Sequence, residues 1–157
     1  MIPFLPFVVR FAGQIYISLP EEKQTDYVIS FLKSQFEKKK EVGKVKNIVV
    51  KKSELKFYTT LGTGGRFPGI WDWIEAGKFC VYKKEGILKL SYTIYMFRII
   101  IYLTLLFACL AFAAKHKTIE LLIYYSILII FIWIYTVISH KSLFNDLVSE
   151  INDDSLP

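Results

Sequence analysis

One stretch, LGTGGRFPGIWDWIEAG at 61–77, has the look of a chemical site: Gly62, Gly64, Gly65 and Gly69 crowd beside Arg66, Trp71 and Trp73. Glycine-dense loops can cradle phosphates, because bare backbone N–H groups converge on an anion. A P-loop also needs a lysine followed by Ser or Thr to hold the phosphates and Mg²⁺. Here Arg66-Phe67-Pro68 follows the glycines instead. A dinucleotide fingerprint needs G-x-G-x-x-G opening a long helix, and GTGGRF lacks the third glycine. Phosphate-loop chemistry is therefore set aside. Tryptophan favours the headgroup level of a bilayer and arginine favours lipid phosphate, so Arg66, Trp71 and Trp73 are candidate membrane-interface residues. The competing reading is architectural: Trp71 and Ile74 plug the open end of a sheet while the glycines turn the chain.

Other reactive side chains do not assemble into a catalytic pattern. His116 and His140 flank an apolar run on opposite ends. Asp72 and Glu75 fall at i and i+3 of an expected short helix, with no nucleophile beside them. Cys80 and Cys109 are the only cysteines, one in an expected strand and one in an apolar run. Neither a disulfide nor a metal site follows from that pair. The expectation is no catalytic residue, no metal, no cofactor and no enzyme activity.

The elements that carry these residues are dictated by an uneven apolar content. From 90 to 139 the formal charges are Arg98, Lys115, Lys117 and Glu120 alone. Two spans can be drawn, at 94–114 and 121–139, each close to the roughly 20 helical residues that a hydrocarbon core of about 30 Å requires. The break KHKTIE between them predicts a two-helix transmembrane hairpin. Arg98 would lie about one turn inside the boundary, near enough to snorkel. It shares an expected helix face with Tyr95 and Tyr102, a cluster able to hold a lipid phosphate. These three complete the lipid-contact candidates. Lys and Arg crowd the outer ends of the hairpin, which predicts that both termini are cytoplasmic. The start, MIPFLPFVVRFAG, has no basic leader and two prolines, a poor signal peptide.

Residues 1–90 hold sixteen Lys and Arg against nine Asp and Glu, a net of +7. QIYISL at 14–19 predicts a strand, and SLPEE a helix start with Ser18 as cap and Pro20 in the first turn. Tyr27, Val28, Phe31, Leu32 and Phe36 then form one apolar stripe. KVKNIVVKK and ELKFYTT predict two strands turning at KKSE, IWDWIEAG a short helix stopped by Gly77, and KFCVYKK-EG-ILKLSYTI a hairpin. The tail at 141–157 carries one positive against four negative charges. Its Leu143, Phe144, Leu147, Val148 and Ile151 predict a separate amphipathic helix that docks on the basic domain.

The fold class expected is α+β: a small β-α-β-β-loop-β-β cytoplasmic domain (1–90), a transmembrane helical hairpin (91–140) and an acidic amphipathic tail (141–157). The function expected is that of a non-enzymatic integral membrane protein, an accessory, scaffold or lipid-sensing module. Its partners would be membrane lipids, anionic ones included, and a protein partner or further copies of itself. A basic surface without interleaved aromatics argues against nucleic acid. The alternative is an oligomeric lipid-handling enzyme or transporter component with its site around Arg98. The Lys, Ile, Phe and Tyr richness points to an AT-rich bacterial genome and hence an inner membrane.

Overall fold

The computed structural model describes residues 8–41, 45–59, 74–97 and 118–153, together with 101, 104, 105, 107–109 and 112. In chain order these form β1 (Val8–Ile15), α1 (Glu21–Glu41), β2 (Val45–Lys51), β3 (Glu54–Thr59), β4 (Ala76–Lys84), β5 (Ile87–Tyr95) and α2 (Thr118–Asp153). The strands make one antiparallel sheet in the order β1-β5-β4-β3-β2. The first strand therefore lies beside the last, and α1 carries the chain across to the opposite edge.

Period-two alternation decides which side of the sheet becomes the core. The register aligns Val9, Ile94, Gly77 and Phe57 in one row and Phe11, Tyr92, Phe79 and Leu55 in the next. On this face α1 covers β2 and parts of β3 and β4, while the C-terminal half of α2 covers β1. Phe36 of α1 packs its ring 4.4 Å from Phe57, and Tyr92 stacks on Phe79 at 4.3 Å with ring planes 4° apart. Phe144 of α2 reaches Phe11 at 6.1 Å and Tyr92 at 6.3 Å. A continuous aromatic layer thus bonds both helices to the sheet.

Two turns follow from local chemistry. Glu85 and Gly86 both take positive φ, 57° and 79°, as a two-residue type I′ hairpin requires. Gly77 answers to space rather than conformation: a Cβ there would overlap the Cζ and Cε1 edge of the Phe57 ring.

Helix α2 is the main departure from expectation. The predicted two-helix transmembrane hairpin is not what the structure shows. Among the described residues a single helix is long and apolar enough to cross a membrane, Leu122–Asp153, with mean hydropathy 2.2 and 11% of its apolar window buried. The expected first span begins inside the sheet: Ile94 pairs with Val9 and Gly77 as part of β5, and Met96 is buried in the core. Helical backbone recurs at Phe97, Ile101, Thr104, Leu105, Phe107, Ala108, Cys109 and Phe112, without an unbroken described helix of spanning length. Thr104 and Phe107 lie against Tyr125 of α2 through a 2.7 Å hydroxyl pair and a ring stack at 4.8 Å.

The tail is not a separate helix either. No glycine or proline falls between 118 and 153 to stop α2, so the second apolar span and the amphipathic tail are one 36-residue rod. Its C-terminal half buries Phe144, Leu147 and Ile151, each worth about 1.5–3 kcal/mol. The docking is largely apolar: Asp146, Glu150 and Asp153 are exposed, and the Glu150 carboxylate accepts the Gln35 amide of α1 at 3.4 Å.

Three smaller expectations also change. The first strand lies at 8–15 rather than 14–19, because Val9, Phe11 and Ile15 alternate with Arg10, Ala12 and Gln14. Helix α1 starts at Glu21, one residue after Pro20, whose carbonyl accepts the Lys23 N–H at 2.9 Å. The short helix expected at 70–77 is not formed at its described end, where Ala76 and Gly77 open β4.

Candidate functional site

The face of the sheet that the helices leave open carries the unusual chemistry. Register places Tyr95, Ala76, Tyr58 and Asn47 in one row across it. The next row holds Arg10, Thr93, Lys78, Lys56 and Val49, and the one after that Ala12, Ser91, Cys80, Glu54 and Lys51. Neighbouring strands lie about 4.8 Å apart, so Arg10 and Lys56 stand about 14 Å apart with Lys78 between them.

Lys56 and Lys78 are directly cross-strand, an arrangement that repels. Glu54 relieves it in part. Its carboxylate accepts a hydrogen bond from Lys78 Nζ at 2.5 Å. That bond holds the Glu54 carboxyl below its ordinary range and pushes the Lys78 ammonium above its own. Arg10 sits next to Thr93 and reaches Ser91 Oγ at 3.4 Å. Burial, with Glu54 beside it, pushes the Cys80 thiol up, so this cysteine is a poor nucleophile. The row offers three cations and the Thr93 hydroxyl in a line, an arrangement suited to holding an anion.

Tyr92 and His140 form the other notable polar pair. Both are buried, and the phenol oxygen lies 2.9 Å from His140 Nδ1. Burial pushes the Tyr92 phenol well up. The pair fastens α2 to the sheet.

Helix α2 runs parallel to β1. His140 meets Tyr92, Phe144 and Val148 press on Gly13, and Asn152 Oδ1 accepts the Tyr16 N–H at 2.9 Å. The row of Tyr58 and Tyr95 lies three residues beyond Tyr92 toward the apolar half of the rod. Three strand residues span about 10 Å, or about seven residues of helix, which reaches Trp133. Trp133 is partly buried and packs against the core cluster.

At the far end of the sheet an open groove of about 330 Å³ is lined by Ile15, Ile17, Ser18, Gln24 and Ile87. The Gln24 amide there donates to the carbonyls of Ile17 and Leu19, and no charged side chain enters. Among the described residues no group of three or more His, Cys, Asp or Glu is placed to hold a metal ion.

Of the six residues singled out from sequence, Tyr95 alone is described. It ends β5 on a strand rather than a helix, half-buried, with its carbonyl accepting the Glu75 N–H at 2.7 Å. Arg66, Trp71, Trp73, Arg98 and Tyr102 lie outside the described residues. Arg10, Lys56, Lys78 and Tyr58 were missed. Each occupies an open-face position of its strand, and only the cross-strand register brings them together. No protein-family model, curated protein or solved structure matches the chain.

Proposed function

We propose that the chain is a membrane-anchored binding module: an integral membrane protein that fixes a small basic α+β domain at the bilayer surface, as a scaffold, accessory subunit or lipid sensor. The observation that carries the reading is the division of α2. Its first twenty or so residues expose Ile119, Ile123, Ile127, Ile130, Phe131 and Ile138 around the rod, a length of about 30 Å that matches a hydrocarbon core. Its last fourteen dock on the sheet. Such a contiguous apolar girdle is far larger than a soluble monomer tolerates. The positive-inside rule favours the cytoplasmic side for the domain, given Lys78, Lys83, Lys84, Lys89 and Lys141 on its side of the apolar run against Lys115 and Lys117 at the other, and the composition favours a bacterial inner membrane.

The test is extraction of membranes from cells making the chain at low level. Retention in the pellet through alkaline carbonate and release by detergent is the expected outcome. Release by carbonate alone refutes the reading. A mild-detergent pull-down with mass spectrometry of protein and lipid then separates an accessory subunit, which brings down a stoichiometric larger protein, from a lipid sensor.

A further inference from the structure

The two edges of the sheet are finished differently. On the β1 side α2 lies along the strand, and Asn152 Oδ1 accepts the Tyr16 N–H at 2.9 Å. On the other side β2 ends the strand order, and among the described residues no strand lies beyond it. A two-residue turn at Lys52 and Ser53 joins β2 to β3, which makes Lys51 and Glu54 a hydrogen-bonded pair. Pairs alternate along an antiparallel ladder, so Lys51 and Val49 direct their main-chain groups to β3 while Ile48 and Val50 direct theirs outward. Val49 and Val50 are 40% and 41% exposed, one on each face of the sheet. Exposed lysines flank them: Lys46, Lys51 and Lys52 make no ion pair among the described residues, and no acid falls between 45 and 52. The carboxylate on the adjoining strand, Glu54, is held by Lys78.

We propose that the outer edge of β2 is a docking site for a short, acidic, extended segment of a partner protein, which joins the sheet as a further strand through the free main-chain groups of Ile48 and Val50. The assignment rests on the binding-module part of the reading above, names the kind of partner that module holds, and does not depend on the anchor. Free strand edges capture extended peptides, with main-chain bonds supplying affinity and side chains supplying specificity. Lysine on an edge also guards against indiscriminate pairing, and here the guard selects. A second copy of this chain is a poor occupant. Setting its Val50 opposite Ile48 brings Lys46 of each copy against Lys52 of the other, which repels. An acidic segment meets the same lysines as partners. Neighbouring residues of a strand point to opposite faces, so two adjacent apolar residues cover Val49 and Val50 together. Acids then stand opposite Lys46, Lys51 and Lys52. Read antiparallel to β2, the pattern is acid, acid, apolar, apolar, two unspecified residues and acid. The register shift between Val45 and Asn47 ends the regular edge there and keeps the segment short.

The test is fluorescence anisotropy of labelled, end-blocked heptapeptides added to the full chain in a neutral detergent. The probes are EEVVTTE, which follows the pattern, and KKVVTTK, its charge reversal. We expect EEVVTTE to bind about tenfold more tightly or better, and salt at about 0.5 M to remove most of the difference. Val50→Pro deletes one outward N–H, breaks no ladder bond and keeps every lysine, so it abolishes binding. Val50→Thr keeps the N–H and keeps binding. Lys46→Glu with Lys52→Glu leaves the main chain intact and abolishes the preference between the peptides. Equal binding of the two peptides, binding that survives Val50→Pro, or a preference that survives the lysine double variant overturns the site. So does a dimer of the parent chain that Val50→Pro dissociates, because a second copy then takes the edge. Carbonate extraction reports on the anchor alone: a chain that carbonate releases but that still selects EEVVTTE loses the anchor and keeps the site.

Discussion

Gly77→Ala tests the packing logic of the sheet at its tightest point. Gly77 lies in β4 directly opposite Phe57, and an added methyl would stand inside the contact distance of Phe57 Cζ and Cε1, with Cε2 at 3.0 Å. The Phe57 ring cannot withdraw. It is fully buried, with Phe36 at 4.4 Å, Phe79 at 6.2 Å and Tyr92 at 6.3 Å. Overpacking of this kind costs about 1–3 kcal/mol and occasionally more, and so close an approach belongs at the upper end. Replacing a strand glycine returns about 0.5–1 kcal/mol of chain entropy, leaving a net loss of about 2 kcal/mol. For a domain of this size that lowers the melting temperature by roughly 8–16 °C. The assay is thermal unfolding of the full chain in detergent, followed by near-UV circular dichroism of the aromatic layer. The double variant Gly77→Ala with Phe57→Leu removes the colliding ring, so its loss should match that of Phe57→Leu alone. A single variant within about 3 °C of the parent, or strictly additive losses in the cycle, refutes the reasoning.

Other consequences are open to similar measurement. Phe144→Ala empties the contact between α2 and the sheet and should cost about 3–5 kcal/mol, read as protease sensitivity of the domain with carbonate-resistant anchoring unchanged. Tyr92→Phe leaves His140 without its phenol partner at a cost of about 1–3 kcal/mol, measured by urea unfolding. The raised Tyr92 value makes stability full below the ordinary tyrosine pKa near 10 and lost as pH climbs toward the folded value, so an alkaline melting series should fall for the parent and flatten for Tyr92→Phe. Glu54 behaves in the opposite sense. Its lowered value contributes stability above the ordinary carboxylate range that disappears as pH falls through the folded value, and Glu54→Gln should remove that acid limb.

Much of the soluble architecture is legible in the chain because it rests on local rules. Leu55, Phe57 and Thr59 alternate cleanly and form β3. Glu85-Gly86 announces the β4–β5 turn, and the stripe through Val28, Leu32 and Phe36 is the buried side of α1. What misleads is apolar content without a period. Residues 94–97 read as the start of a span, yet long-range pairing claims Ile94 and Tyr95 for β5. The stretch before Gly77 reads as helix because its glycine looks like a stop, when its role is to make room for the Phe57 ring on the neighbouring strand. The tail docks as its Leu143, Leu147 and Ile151 spacing implies, but through hydrocarbon rather than opposite charge. The candidate site was hidden for a different reason. Arg10, Lys56 and Lys78 are scattered over nearly seventy positions, and only strand order 1-5-4-3 places them side by side.

The unbroken course of α2 has a mechanical consequence. A 36-residue rod without glycine or proline has no hinge at the surface, so the domain inherits every tilt of its anchor. An apolar length of about 30 Å in a bilayer thinned to about 27 Å leans by roughly 25°. The docked half of the rod extends about 20 Å past the boundary, and its far end then swings sideways by about 8 Å. Bilayer thickness is thereby converted into the position of a protein surface, a lever whose long arm lies in lipid and whose short arm carries the sheet.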